Sequence, residues 1–149
     1  MMLRTHYTFS AGLLALALAA LFRPPLYETL TVALLVSATA NSVIDMLGHK
    51  GGRRTPLTHT VPRSVAWGLA SSLLAAVVVP KALPLALAAG AIAGPSHMLL
   101  DVITEHGIYV KRNGHWRRLA LAHIRYNNPL ANLALTLLGV LFLVLAILI

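Results

Sequence analysis

The sequence predicts an all-α protein, a polytopic transmembrane bundle of about five helices with little soluble domain. Two observations indicate this class. Hydrophobic residues make up 58% of the 149 residues and charged residues only 11%, whereas soluble domains usually carry about 25% charged residues. The apolar residues are also gathered into long runs rich in Leu, Ala and Val, which are too long for strands and typical of helices. The length allows one domain, residues 1–149.

Each apolar run is expected to form one helix. The runs cover residues 8–22, 26–47, 64–79, 82–103 and 129–149. A membrane-spanning helix needs about 20 residues, so the second, fourth and fifth runs qualify by length. The first and third are shorter and rich in alanine, and we expect them to pack inside the bundle, because small residues let helices approach closely.

The first run has a second interpretation. Arg4, the apolar residues and the alanine-rich end together resemble a secretory signal peptide. The break at Arg23-Pro24-Pro25, however, leads directly into the next apolar run, as in a helical hairpin. We therefore expect the first helix to be retained.

The basic residues are distributed unevenly along the chain. Five spans place the N-terminus and the loops at 48–63 and 104–128 on one side, and this side carries all of the 12 Lys and Arg residues except Arg23 and Lys81. The positive-inside rule then predicts a multi-pass protein of the cell membrane with a cytoplasmic N-terminus and an outside C-terminus. Because topology explains the net charge of +8, no nucleic-acid partner is required, and membrane lipids are the expected partners.

Histidines and carboxylates at the helix ends predict a metal site. The chain has no cysteine, and two of its four acidic residues form i,i+4 pairs with histidine, which place both side chains on one helix face. The candidate ligands are His6, Asp45, His49, His59, His97 and Asp101. All six fall near the predicted cytoplasmic face, where ionisable groups usually have a partner. Imidazole and carboxylate ligands suit a divalent metal such as zinc or manganese.

Simpler interpretations remain open for these residues. His97 and Asp101 could hydrogen-bond only each other, and Asp45 could pair with Arg53 or Arg54. His6, His49 and His59 could be interfacial or loop residues without a ligand. Three further histidines stand among basic residues and are expected to be solvated, namely His106, His115 and His123.

Residues 95–107, PSHMLLDVITEHG, resemble the H-x-x-x-D-x-x-T-x-x-G signature of the YdjM-like family of membrane-bound metal-dependent hydrolases. Thr5-His6 resembles the opening of that family, and Thr58-His59-Thr60 resembles its H-R-G-x-T-H-S motif. Asp45 falls at its early acidic motif. The wider pattern resembles an archaeal, uncharacterised branch. The resemblance implies a metal-dependent hydrolase whose site uses these positions.

The chain departs from that family at two points. The family usually has two aspartates in a P-D-x-D motif, whereas this chain has only Asp45 there. The first histidine of the H-R-G motif is replaced, because the chain reads Arg54-Thr55-Pro56. Fewer ligands imply one metal instead of two, or a site that has lost its chemistry, and His49 is a possible replacement ligand.

An active metal site of this kind would lower the pKa of a bound water molecule to about 7. Glu105 is then the candidate general base. The candidate groups for holding a substrate phosphate are Arg53, Arg54, Arg117 and Arg118. A site at the membrane face suits a lipid or another amphiphilic ester or phosphoester. Substitution of His97 or Asp101 by alanine is expected to remove metal binding and to leave the bundle folded.

Two non-hydrolytic classes are also compatible with the sequence. One is a structural or accessory membrane protein of a cell envelope or virus-like particle, which the short loops and small packing residues favour. The other is a small transporter or metal carrier. Because transporters bind their substrate near the middle of the membrane, the gathering of polar residues at one face argues against that class.

Overall fold

The computed structural model describes residues 1–51 and 53–149. These residues form five long helices, α1 (Leu3–Phe22), α2 (Leu26–Gly48), α3 (Val61–Val78), α4 (Leu83–Val102) and α5 (Pro129–Leu148). All five are long and apolar enough to cross a membrane. The prediction of an all-α, multi-pass helix bundle is therefore confirmed.

The first helix begins five residues before the predicted apolar run, at Leu3. The polar residues of this extra turn have buried partners on other helices. Thr5 donates a hydrogen bond to Asn132 on α5 at 2.7 Å, and His6 lies 3.1 Å from the carboxylate of Asp101 on α4. Because tertiary contacts satisfy these side chains, the helix continues past the point where hydrophobicity ends.

Two helices start at residues that explain their boundaries. The side chain of Thr60 caps α3 by accepting a hydrogen bond from the Arg63 backbone N–H at 3.4 Å. A short 3₁₀ turn, Pro80–Ala82, precedes α4. This turn begins with a proline, which is tolerated there because the N–H groups of a first helical turn have no intrahelical partner.

The first helix is the most buried of the five, as predicted, but the third is less buried than α2 and α4. The prediction that α3 lies inside the bundle is wrong because its small residues form a single stripe. Gly68 packs against the backbone of Gly90 on α4, and Ser64 packs against Gly94. The opposite side of α3 exposes Leu73, Leu74, Val77 and Val78.

Helices α1 and α5 approach each other closely at a pair of glycines. A Cβ atom added to Gly12 would collide with the carbonyl oxygen of Gly139, and one added to Gly139 would meet the backbone of Phe9 at 2.6 Å. Only glycine permits this approach, which brings the N-terminal ends of α1 and α5 together.

We expect Gly139→Leu to destabilise the bundle by about 1–3 kcal/mol, the usual cost of overpacking. The neighbouring residue Val140 is 43% exposed on the same helix, so Val140→Leu is a matched control that should change little. Thermal unfolding in detergent compares the two variants with the wild type. Equal melting temperatures for both variants would contradict the glycine contact.

The connections at one end of the bundle contain two hairpins that were not predicted. Strands β1 (His49–Lys50) and β2 (Arg53–Arg54) join α2 to α3, and strands β3 (Ile108–Arg112) and β4 (His115–Leu119) join α4 to α5. The N-terminal ends of α1, α3 and α5 and the C-terminal ends of α2 and α4 meet there. We call this the hairpin end of the bundle.

Candidate metal centre

Five of the six predicted ligands come together at the hairpin end. His6 lies near the start of α1, Asp45 near the end of α2, His59 just before α3, and His97 and Asp101 near the end of α4. Four of them are buried almost completely, while Asp45 is 22% exposed. Four segments of the chain therefore place imidazole and carboxylate groups in one space.

Four atoms from these residues face one another at short range. The Nε2 atom of His97 lies 3.4 Å from Asp45 Oδ1 and 3.2 Å from Asp101 Oδ2. The Nε2 atom of His59 lies 3.7 Å from Asp45 Oδ1 and 3.6 Å from Asp101 Oδ2. We call these four atoms the ligand cluster.

Asn41 fixes which nitrogen of His97 faces the cluster. The side-chain amide of Asn41 donates to the carbonyl oxygen of Ser37 at 2.7 Å, so its oxygen points the other way, towards His97. That oxygen accepts a hydrogen bond from His97 Nδ1 at 2.8 Å. The neutral ring therefore carries its proton on Nδ1 and presents the lone pair of Nε2 to the ligand cluster.

Thr58 fixes which nitrogen of His59 faces the ligand cluster. Its hydroxyl donates to the carbonyl oxygen of Ile44 at 2.9 Å, and the same oxygen accepts from His59 Nδ1 at 2.9 Å. The lone pair of His59 Nε2 therefore points into the cluster. Burial lowers the pKa of the His59 side chain, which favours the neutral, metal-binding form.

The ligand cluster consists of hydrogen-bond acceptors that face other acceptors. Three of its atoms are buried and have no hydrogen-bond partner among the described residues, namely His59 Nε2, His97 Nε2 and Asp101 Oδ2. Buried polar groups without partners are costly, and a cation removes this cost. Tetrahedral zinc with bonds of about 2.0–2.2 Å separates its ligand atoms by about 3.3–3.6 Å, close to the four nitrogen–oxygen distances of 3.2–3.7 Å found here. The donor set thus fits a divalent metal.

The second oxygen of the Asp101 carboxylate is surrounded by donors. Its Oδ1 atom accepts from Arg54 Nη2 at 2.6 Å and from the Met1 amino group at 3.0 Å, and His6 Nε2 lies 3.1 Å away. Burial lowers the pKa of the Met1 amino group. The ring of His6 stacks on His97 with centroids 3.9 Å apart. Asp101 therefore turns one oxygen to the ligand cluster and the other to Arg54 and His6. His6, His97 and Asp101 also offer ligand atoms that lie within 4.8 Å of one another.

The remaining predicted ligand, His49, lies at the rim. Its Nδ1 atom is 2.7 Å from the backbone oxygen of Asp45 and 3.7 Å from that residue's carboxylate. The side chain is 37% exposed, and its ring meets the ring of His59 edge-on, with centroids 5.1 Å apart. The alternative pairing of Asp45 with Arg53 or Arg54 is not seen among the described residues, and Arg54 instead bonds to Asp101.

An open cleft of about 390 Å³ reaches the ligand cluster from outside. It is lined by Asp45, His49, Arg54, His106 and Tyr126, together with the first three residues of the chain. We call it the ligand cleft. It gives a small molecule access to the exposed side of Asp45.

The predicted general base lies apart from the ligand cluster. The carboxylate of Glu105 is 3.7 Å from His106 and is 38% exposed. His106 lines the ligand cleft, whereas Glu105 is not among its lining residues. The geometry gives no support to Glu105 as the general base.

The four predicted phosphate-binding arginines separate into different environments. Arg54 is buried, and its Nη1 atom donates to Thr104 at 3.0 Å and to the Gly107 carbonyl oxygen at 2.8 Å. Arg53 and Arg118 are exposed and line a second cleft beside Arg54. Arg117 follows Trp116 on β4 and is not among the residues that line this cleft.

The orienting roles of Asn41 and Thr58 were not predicted from the sequence. Asn41 stands four residues before Asp45 on α2, so the two share a helix face at the i,i+4 spacing, and this amide was an available signal. Thr58 belongs to the Thr-His pair, but its hydroxyl is oriented by donating a hydrogen bond to a carbonyl oxygen of helix α2. That contact depends on tertiary packing.

Comparison with known proteins gives one match. Residues 1–100 match the model of the family described as "Protein of unknown function (DUF1286)", a segment that includes Asp45, His59 and His97 and ends one residue before Asp101. No curated protein and no solved structure matches the chain. The family description names no activity, so the hydrolase resemblance remains a prediction. Because the match covers 100 of 149 residues, the chain belongs to this DUF1286 family, whose function is unknown.

Proposed function

We propose that the protein is a metal-dependent hydrolase with one divalent ion held by Asp45, His59, His97 and Asp101. The observation that carries this proposal is the ligand cluster, in which each of two imidazole nitrogens lies 3.2–3.7 Å from each of two carboxylate oxygens. Zinc is the preferred ion, because the spacing suits short bonds and zinc accepts mixed imidazole and carboxylate ligands. Manganese is the alternative.

The ligand cleft supplies the access that a reaction needs. A divalent ion bound here would need a fifth coordination position beside its four protein ligands, and a water molecule held in that position would have a lowered pKa. Asp45 is the only one of the four ligands that is partly exposed, so a substrate approaches on its side. His49 holds its Nδ1 against the Asp45 carbonyl oxygen, which leaves Nε2 free to accept a proton. It therefore replaces Glu105 as our candidate general base.

A panel of chromogenic esters tests the hydrolase proposal. Purified protein in detergent is loaded with zinc or manganese and incubated with p-nitrophenyl phosphate, bis-p-nitrophenyl phosphate and p-nitrophenyl butyrate. We expect metal-dependent release of p-nitrophenol from at least one ester, and none from His97→Ala. Metal-loaded protein that releases no more product than the His97→Ala variant would contradict the assignment.

One observation favours a second candidate function. Four protein ligands around one ion are typical of structural zinc sites, whereas catalytic sites keep an open position. The protein would then be a structural or accessory membrane protein whose ion joins α2, α4 and the segment before α3. In that case chelation lowers the melting temperature strongly and the ester panel shows no turnover.

The hydroxyl of Thr58 provides a specific test of the metal site. Thr58→Val keeps the shape of the side chain but removes the acceptor for His59 Nδ1. Loss of such an orienting contact usually lowers metal affinity by about 10–100-fold. Thr58→Ser retains the hydroxyl and should bind nearly as well as the wild type. Metal titration in detergent measures both, and equal affinity for the Val and Ser variants would contradict the orienting role.

We further propose that the hairpin end faces the cytoplasm in the cell membrane. The support is the concentration of Lys and Arg at this end, with only Arg23 and Lys81 at the other. The chain has no native cysteine, so single cysteines can be introduced without background. We expect Lys50→Cys and Arg112→Cys to be labelled from the cytoplasmic side only, and Lys81→Cys from outside only. Labelling of positions 50 and 112 from opposite sides would contradict the topology.

A further inference from the structure

A second cleft of about 340 Å³ lies beside the ligand cleft at the hairpin end. Its walls are formed by Arg53, Arg54, His106, Tyr109 and Arg118. We call it the arginine cleft. Three guanidinium groups and an imidazole line it, and no carboxylate is among these lining residues. Two carboxylates lie next to lining residues: Asp101 Oδ1 accepts from Arg54 Nη2 at 2.6 Å, and the Glu105 carboxylate is 3.7 Å from the Nε2 atom of His106.

The two exposed arginines of the cleft come from different hairpins. Arg53 lies on β2 of the first hairpin, and Arg118 lies on β4 of the second. Arg118 pairs with Tyr109 across the β3–β4 hairpin, so their side chains project from the same face. Tyr109 in turn donates its backbone N–H to the carbonyl oxygen of His59 at 2.7 Å and its hydroxyl to the carbonyl oxygen of Arg54 at 3.1 Å. The two hairpins are thus tied together around the cleft.

Arg54 connects the arginine cleft to the ligand cluster. It is 9% exposed, and its Nη2 atom bonds to Asp101 while Nη1 bonds to Thr104 and Gly107. The buried Nε atom has no hydrogen-bond partner among the described residues. Arg54 and His106 line both clefts. A molecule that occupies both clefts would therefore touch Asp45 at one end and the exposed arginines at the other.

We propose that the arginine cleft is an anion subsite that binds a phosphate group of the substrate. This inference deepens the proposed hydrolase function and rests on it, because the bound phosphate belongs to a substrate only if the protein is a hydrolase. Guanidinium groups bind phosphate through paired, charge-assisted hydrogen bonds, and the exposed side chains of Arg53 and Arg118 are free to close on a ligand. The phosphate belongs either to a lipid headgroup, because the cleft lies at one end of a membrane-spanning bundle, or to a soluble phosphate ester.

Two binding measurements on metal-free protein in detergent test the subsite. The first follows inorganic phosphate by the line width of its ³¹P NMR signal. The second follows fluorescent phosphatidic acid in phosphatidylcholine micelles by anisotropy. We expect Arg53→Gln/Arg118→Gln to weaken both by about 10- to 100-fold, the effect of losing hydrogen bonds to a charged group. The matched control Arg112→Gln/Arg117→Gln also removes two positive charges, from exposed positions on the β3–β4 hairpin that carries Arg118. It should change the affinity less than twofold.

The His97→Ala variant separates this inference from the hydrolase proposal. It lacks a metal ligand but keeps the arginine cleft, so it should bind phosphate as the wild type does even where metal binding and hydrolysis fail. Tighter binding of phosphatidic acid than of inorganic phosphate identifies the lipid headgroup as the source, and the reverse identifies a soluble ester. Equal losses in the two double arginine variants, no binding by the wild type, or loss of phosphate binding in His97→Ala would each overturn the subsite.

Discussion

Replacing His97 by alanine is expected to lower the affinity for a divalent ion by more than about 100-fold while the bundle stays folded. Removal of an orienting contact alone costs about 10–100-fold in affinity, and His97 is a direct member of the ligand cluster with two carboxylate oxygens within 3.4 Å. In the metal-free protein its loss leaves the Asn41 oxygen without its partner, at a cost of about 1–3 kcal/mol. The substitution also removes the His97 Nε2 lone pair, which faces the carboxylate oxygens of Asp45 and Asp101 in the metal-free protein. Relief of this repulsion offsets part of the cost.

Metal titration and thermal unfolding, both started from metal-free protein, measure these two effects separately. The matched control is His106→Ala, because that histidine is exposed and lies outside the ligand cluster. Metal raises the melting temperature of any form that binds it, so added zinc should stabilise the wild type and His106→Ala but not His97→Ala. A His97→Ala protein with the metal affinity of the wild type would exclude this residue as a ligand.

Asp101→Ala is expected to destabilise the bundle strongly as well as to remove metal binding. The sequence alone suggested that either substitution would leave the fold intact, and the contacts of Arg54 change that expectation for Asp101. The Arg54 guanidinium is buried and bonds to Asp101 Oδ1 at 2.6 Å. Removal of one partner of a buried ion pair typically costs about 3–5 kcal/mol, because the other charge stays buried without compensation.

A double-mutant cycle tests this cause. Arg54→Met removes the buried charge and retains much of the side-chain volume, so Asp101→Ala/Arg54→Met should be more stable than Asp101→Ala alone. Metal affinity should not return in the double variant, because the ligand oxygen is still missing. Denaturant unfolding of the four metal-free proteins gives the coupling energy. An Asp101→Ala protein as stable as the wild type would show that Arg54 does not depend on this carboxylate.

The five helices could be predicted from the sequence because each contains an apolar run that is too long for a strand, although the first and third runs are shorter than a membrane-spanning helix. The start of α1 could not, since the partners that satisfy Thr5 and His6 lie on α4 and α5. The exposed face of α3 was also missed. Alanine and serine content indicates close packing, but it does not indicate that the packing is confined to one stripe.

The candidate ligands could be selected from helical spacing and predicted topology. Asp45 and Asp101 each stand one turn from a histidine, and alternating helix directions bring them to the same end. The orientation of each ring could not be predicted, because it depends on hydrogen bonds that the rings donate to Asn41 and Thr58 within the fold. Arg54 was taken for a substrate contact, yet its long side chain reaches a carboxylate 47 residues away in the chain.

The metal content of the wild-type protein tests the central claim most directly. Protein purified in detergent without chelator, dialysed against metal-free buffer and analysed by inductively coupled plasma mass spectrometry should retain about one zinc or manganese ion per chain, as one tetrahedral cluster requires. The His59→Ala/His97→Ala variant, prepared in parallel, should retain almost none. A wild-type protein without bound metal that also fails to take up zinc or manganese on titration, or a double variant with the same metal content, would contradict the account.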